Sequence, residues 1–126
     1  MTQNFSIANV APGTYDLEVT KAAHLKYTIK NVVVSSSDLD LTTLTGKPYQ
    51  TITLLCGDVN GDGSITESDV SVIRLSSNIN KQITAAGVNP LADVNGDGSV
   101  TESDVSIVRL AVHINKSAVN NCTYNF

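Results

Sequence analysis

The sequence predicts an α+β chain: a small antiparallel β-sandwich over residues 1–55, followed by an all-α module of two loop–helix units over 56–126. Three observations carry this reading. Residues 58–81 (DVNGDGSITESDVSVIRLSSNINK) and 93–116 (DVNGDGSVTESDVSIVRLAVHINK) align without gaps, with 18 of 24 positions identical. Residues before 56 instead alternate apolar and polar side chains with a period near two. The charge is divided in the same way: the first 55 residues sum to zero, while residues 56–126 carry four basic and eight acidic side chains, all eight acids lying in 58–69 and 93–104.

In the first half, Phe5–Ala8, Thr14–Thr20, Tyr27–Val34 and Ile52–Leu54 read as strands. Ala11-Pro-Gly-Thr and Ser35-Ser-Ser-Asp mark turns between them. The segment Tyr49–Gly57, leading into the first repeat, also reads as a strand. Phe5, Tyr15, Tyr27 and Tyr49 are the aromatics of this half, and with no Trp in the chain they are assigned to the core rather than to a sugar-stacking platform.

Each repeat opens Asp-x-Asn-x-Asp-Gly, the start of a twelve-residue calcium loop. Calcium takes six to eight oxygen ligands, and alternate side chains at positions 1, 3 and 5 of such a loop converge on one point. Asp58, Asn60 and Asp62 hold these positions. Ser64 at position 7 offers its backbone carbonyl, Thr66 at position 9 holds a water, and Asp69 at position 12 closes the shell through both carboxylate oxygens. Asp93, Asn95, Asp97, Ser99, Thr101 and Asp104 take the same roles in the second copy. Two bound Ca²⁺ would bring the formal net charge from -4 to zero.

Thr66-Glu-Ser-Asp69 and Thr101-Glu-Ser-Asp104 fit a helix capping box, which predicts helices over about 67–78 and 102–113. Val70, Ile73 and Ser77, with Val105, Val108 and Val112, form the stripe assigned to the core. A second stripe runs Ser68, Val72, Leu75, Ile79, and in the copy Ser103, Ile107, Leu110, Ile114. A unit this small cannot bury apolar residues all round. The second stripe therefore packs on another part of the chain or binds a partner.

An EF-hand has a helix on both sides of its loop, whereas a strand precedes the first loop here. GDVNGDGSITESDVSVIRL and ADVNGDGSVTESDVSIVRL resemble the duplicated loop–helix (F-hand) motif of dockerin modules, which attach proteins to cohesins in cellulosome-type polysaccharide-degrading complexes. The resemblance implies two structural calcium ions, a cohesin partner, a chain that is monomeric before cohesin binding, an extracellular or cell-surface setting and no catalysis. It places Glu67, Ser68, Arg74, Leu75 and Ile79, with Glu102, Ser103, Arg109, Leu110 and Ile114, against the cohesin. Val72 and Ile107 join them on the second stripe. The stretch NFSIANVAPGTYDLEVTKAAHLKYTIKNVVV resembles carboxypeptidase-regulatory-like β domains and the X modules that precede some dockerins, without the one or two earlier strands such domains usually carry.

Cys56 and Cys122 flank the dockerin-like part. Packing two units about a pseudo-twofold axis brings its ends together, so in a secreted module these cysteines are expected to form a disulfide; two separate buried thiols are the other reading. A bridge would close 66 residues and stabilise by about 4 kcal/mol. His24 and His113 have no partner triad in sequence and are assigned surface or packing roles.

The acidic balance argues against a nucleic-acid partner. No apolar run is long enough for a membrane span, and MTQNFSIANV lacks the basic and apolar regions of a signal peptide. An EF-hand-like calcium sensor or buffer is the alternative class. A hydrolase is disfavoured, since no nucleophile–base set or separated carboxylate pair lies outside the loops.

Overall fold

The computed structural model describes residues 2–126; Met1, the first residue of the expected N-terminal part, lies outside the described residues. Strand β1 (Gly13–Val19) pairs antiparallel with β2 (Tyr27–Val34), close to the two strands the alternation marks. The register shifts between Tyr15 and Leu17. Opposite this bulge Asn31 takes a left-handed φ of 59°, and its amide donates to Asp16 Oδ1 at 3.0 Å.

The remaining expected strands do not form. Phe5–Ala8 and Ile52–Leu54 are irregular, and the run into the first loop keeps only an isolated bridge between Cys56 and His24. The expected sandwich is therefore a single three-stranded sheet of order β1-β2-β7, in which β7 (Thr123–Asn125) comes from the C-terminus and runs parallel to β2. The sequence misled here because four apolar residues at alternate positions do not by themselves supply a hydrogen-bonding neighbour. Of the aromatics assigned to the core, Tyr27 and Tyr49 are buried, whereas Phe5 and Tyr15 are exposed.

The repeats fold as two copies of one unit. The first comprises β3 (Ser64–Ile65), α1 (Glu67–Ile73) and β4 (Lys81–Gln82). The second comprises β5 (Ser99–Val100), α2 (Glu102–Val108) and β6 (Lys116–Ser117), followed by the single turn α3 (Ala118–Asn121). The short strands mean that this part is not all-α. They pair crosswise: β3 with β6 and β4 with β5, so each loop binds the exit of the other unit's helix. Matching backbone bonds lock both crossings. Asn115 and Ala118 donate to the Ile65 and Gly63 carbonyls at 2.7 and 2.9 Å, and Asn80 and Ile83 donate to the Val100 and Gly98 carbonyls at 2.7 and 3.1 Å.

Both helices stop after seven residues, well short of the predicted 78 and 113. Asn78 explains the first stop: its side-chain amide donates to the Val72 carbonyl at 2.7 Å, and its Oδ1 accepts from Asn89 N at 2.9 Å. His113, at the equivalent place, bonds through Nδ1 to the Ile107 carbonyl at 2.8 Å. Two residues later Asn80 and Asn115 adopt φ of 58° and 60°, turning the chain into the crossed strand. Ser77 and Val112, expected in the core, lie beyond these stops and are exposed. Val70, Ile73, Val105 and Val108 are buried as expected.

A single apolar cluster joins the two halves of the chain, from Leu25, Tyr27, Ile29 and Tyr49 through Ile65, Ile73, Val100 and Val108 to Cys122. The C-terminus closes it: Thr28 N donates to the Cys122 carbonyl, Phe126 N donates to the Lys30 carbonyl, and Phe126 stacks on Tyr49 with centroids 6.2 Å apart. The expected disulfide is absent. Cys56 and Cys122 are free thiols, with Cys56 Sγ facing His113 Nε2 at 3.7 Å and Cys122 packed in the core. The ends do converge on residues 24–28, but strand pairing holds them there. Burial pushes both thiols up in pKa, which keeps them protonated and unreactive.

Gly57 sits against both repeats, between Ile65 of the first and Val108 of the second. Its φ is 122°, and an added Cβ would lie 3.1 Å from Ile65 Cγ2 and 3.3 Å from Val108 Cγ2. Gly57→Ala should therefore destabilise the fold by about 1–3 kcal/mol. Gly46→Ala, whose Cβ meets nothing within 4 Å, isolates the cost of positive φ alone and should cost less. Denaturant unfolding of the two variants checks the ranking.

Candidate metal loops and docking face

The loops are built by short side-chain-to-backbone bonds. Asp58 accepts from Asp62 N at 3.1 Å and Gly63 N at 3.0 Å, Asn60 Oδ1 from Asp62 N at 3.0 Å, and Asp62 Oδ1 from Ser64 N at 2.9 Å. The second loop repeats these contacts through Asp93, Asn95 and Asp97. They curl positions 1, 3 and 5 into the ring and leave oxygen lone pairs free. Gly63 and Gly98, at φ 85° and 93°, make the sharp turn.

Position 7 follows from the crossed strands. The Gly63 and Ile65 carbonyls both turn toward the other unit, so the alternation of a strand turns the Ser64 carbonyl back into its own loop. Ser99 sits likewise between Gly98 and Val100. Thr66 and Thr101 act as helix N-caps, each hydroxyl accepting the amide two residues on at 3.2 Å.

Asp69 and Asp104 depart from the expectation that both carboxylate oxygens close the metal shell. Each is fully buried. Asp69 Oδ1 accepts from Val59 N and Asn60 N at 2.8 and 3.1 Å, and Oδ2 from Thr66 N at 2.8 Å, completing the capping box. Asp104 does the same with Val94, Asn95 and Thr101. Two donors fill Oδ1, leaving a free lone pair only on Oδ2. These residues lock the loop to the start of its helix. No group of three His, Cys, Asp or Glu side chains gathers as a metal cluster among the described residues.

The donor chemistry nonetheless suits a hard cation: carboxylate, amide and carbonyl oxygens with no sulfur or imidazole in either ring. Electrostatics agree. Burial raises the Asp58 pKa, and the charges of Asp69 and Asp62 raise it further, although bonds from Gly63 and Gly61 oppose them. A cation at the ring centre would relieve this strain on the anionic form.

The residues expected to face a partner divide into three groups. Leu75 and Leu110 are 52% and 49% exposed, and Ser68 and Ser103 are also open. Val72, Ile79, Ile107 and Ile114 are half-buried. The four charged residues are exposed but already engaged. Arg74 Nε donates to Glu102 Oε1 at 2.9 Å and its Nη2 to Oε2 at 2.6 Å; Arg109 and Glu67 repeat this pair with the same distances. Each pair joins the C-cap of one helix to the first turn of the other, so the helices lie antiparallel. Hydrogen bonding to Arg109, with a smaller contribution from its charge, holds the Glu67 pKa below the ordinary glutamate value, and Arg74 acts likewise on Glu102.

Sequence reasoning missed Asn78, Asn80 and Asn115. The signal for Asn80 and Asn115 was the identical Ile-Asn-Lys tripeptide that closes each repeat; Asn78, replaced by His113 in the copy, gave none. No helix among the described residues is long and apolar enough to cross a membrane.

Two loop–helix units related by a pseudo-twofold axis define a duplicated F-hand-like module. The profile of the dockerin type I domain matches residues 56–113. Two solved structures are similar over most of the chain. One is an N-terminal interface mutant of a type II cohesin–X-dockerin complex from Acetivibrio cellulolyticus, with 32% identity over 89% of this chain and 69% of that one, at a TM-score of 0.62. The other is a C-terminal interface mutant of the same complex, with 32% identity over 90% and 69%, at a TM-score of 0.63. A search of curated protein sequences matched none. The chain belongs to the dockerin family, whose type I domains bind calcium.

Both loops carry clustered acids over a small core, so chelation should remove most of the helical circular dichroism and weaken the strand signal with it, because β2 shares its core and β7 with the repeats. Calcium should restore both. Helicity that survives exhaustive chelation would contradict a structural role for the ion.

Proposed function

We propose that this chain is a non-catalytic, calcium-dependent assembly module that binds a cohesin and so anchors its parent protein in a cellulosome-type polysaccharide-degrading complex outside the cell. The observation that carries this reading is the pair of symmetric loop–helix units, whose sequence fits the dockerin profile and whose fold resembles chains solved in cohesin complexes. Each loop takes one Ca²⁺, two in all, through Asp58, Asn60, Asp62, the Ser64 carbonyl and the Oδ2 side of Asp69, and through Asp93, Asn95, Asp97, the Ser99 carbonyl and Asp104. Thr66 and Thr101 serve as caps that can also hold a water.

Residues 1–55 are read as an X-like module and 56–126 as the dockerin. The 32% identity to X-dockerin chains over about nine-tenths of this chain supports that division. The shared core and the β2–β7 pairing fit a module that stiffens its dockerin. The ion's role is to fix the loops; the chain's own residues supply the docking face through Ser68, Val72, Leu75 and Ile79 with Ser103, Ile107, Leu110 and Ile114. The fixed crossed pairing disfavours a sensor that opens on binding calcium, because opening would break both pairs of short strands at once.

Because the profile is of type I and the solved relatives are of type II, the test uses immobilised recombinant cohesins of both types, with calcium and with chelator. Calcium-dependent capture by at least one cohesin is expected; no capture by any would contradict the reading. The near-twofold symmetry further implies two docking orientations. Leu75→Asp alone should leave binding within about twofold, the loss of one of two states by mass action. Leu75→Asp with Leu110→Asp should abolish it. Complete loss in the Leu75 single variant would show that only one orientation exists.

A further inference from the structure

From residue 66 to 79 and from 101 to 114 the docking face has no unpaired acidic or basic side chain; exposed Lys81 lies just beyond it. Between residues 66 and 79, and between 101 and 114, the charged side chains are Glu67, Asp69, Arg74, Glu102, Asp104 and Arg109. Asp69 and Asp104 are buried on backbone amides, and the other four close on one another in two bidentate pairs. The hydroxyls of Ser71 and Ser106 are also spent, donating to the Glu67 and Glu102 carbonyls at 3.0 and 2.9 Å. What remains open is apolar or weakly polar, with Leu75 and Leu110 at its centre.

The two ends of this face differ. Outside Ile/Val exchanges, the repeats depart from identity only at 76/111, 77/112 and 78/113. The last position is the helix stop, where Asn78 and His113 make equivalent bonds. The other two are solvent-facing: Ser76-Ser77 flank Leu75, whereas Ala111-Val112 flank Leu110, with Val112 56% exposed. An exposed valine beside an exposed leucine, just beyond a helix that has already ended, contributes nothing evident to the fold.

Resting on the cohesin reading above, we propose that the partner presents an apolar, uncharged strip to this face and takes the Leu110-Ala111-Val112 end into its centre in preference to the Leu75-Ser76-Ser77 end. A charged partner strip would meet no counter-charge without breaking an Arg–Glu pair, and a desolvated unpaired charge weakens binding. An apolar strip leaves both Arg–Glu pairs intact and gains from burying Val112. Glu67, Arg74, Glu102 and Arg109 then keep the face neutral by pairing with one another, rather than serving as partner contacts. Association is not electrostatically steered, and its rate falls in the unsteered range of about 10⁵–10⁶ M⁻¹s⁻¹.

Calorimetry and stopped-flow binding of the full calcium-loaded chain to whichever recombinant cohesin captures it test this. Between 0.05 and 0.5 M NaCl, affinity and association rate should change by less than about threefold, as expected for neutral faces. Val112→Ser should weaken binding about five- to tenfold, the value of burying the exposed half of one valine side chain. Ser77→Val should leave affinity within about twofold of wild type or raise it. Arg74→Glu should weaken binding, and adding Glu102→Arg should restore it. Melting curves should show Val112→Ser folded as wild type, since the residue is exposed. A tenfold or steeper salt dependence, a Val112→Ser variant equal to wild type, or failure of the charge swap to restore binding would each overturn the proposal. So would a concentration-dependent dimer lost in Val112→Ser, which would assign the face to a second copy. A wild-type chain that binds no cohesin refutes the functional reading instead, before any variant is compared.

Discussion

The structure depends on a crossed exchange: each calcium loop forms its short strand with the exit of the other unit's helix rather than with its own. Neither unit is complete alone. A two-residue strand has no stability of its own, and a seven-residue helix is far below the length at which an isolated helix persists. The buried faces of α1 and α2 supply Val70, Ile73, Val105 and Val108 to one core, and the crossed strands hold those faces together. Left-handed asparagines at the end of each repeat make the crossing possible, and an Asn or His side chain ends each helix in time for it.

The same exchange explains why the charges on the proposed docking face are paired. Antiparallel helices set by crossed strands bring each Arg C-cap beside the other helix's first glutamate. Solvent-exposed ion pairs contribute little stability, so their consequence lies in what they remove from the surface rather than in what they add to the fold. The N-terminal sheet supports this frame from one side, with β7 and the Tyr49–Phe126 stack closing the core that both halves share. Symmetry is thereby confined to the repeats, and the chain as a whole has two distinguishable ends.

Much of this was legible in the sequence. The repeat, the loops, the capping boxes and strand β2 all follow from residue types whose preference is local: Asp and Asn for tight turns, glycine for positive φ, Thr-x-x-Asp for a helix start. What failed was non-local. Periodicity extended the helices through Ser77 and Val112 because it cannot register that Asn78 bonds back to the Val72 carbonyl. The second partner of β2 lay 95 residues away at Thr123–Asn125, where three residues give no period, so the sheet was filled from nearer apolar runs instead. Cys56 and Cys122 were drawn together by the correct inference that the ends meet, but β7 performs that closure without a covalent bond. The exposure of Glu67 and Arg109 was legible, whereas their mutual pairing across 42 residues was not.

The central claim is that the two repeats are one cooperative body joined by exchange. Its most direct measurement is native-state hydrogen exchange on Asp97→Ala, a lesion confined to the second loop, in saturating calcium. The crossed arrangement predicts that protection falls by a similar factor at Asn80 and Ile83, which bond the damaged loop, and at Asn115 and Ala118, which bond the intact one. Loss restricted to Asn80, Ile83 and the second loop, with Asn115 and Ala118 protected as in the wild type, would show that the units stand independently.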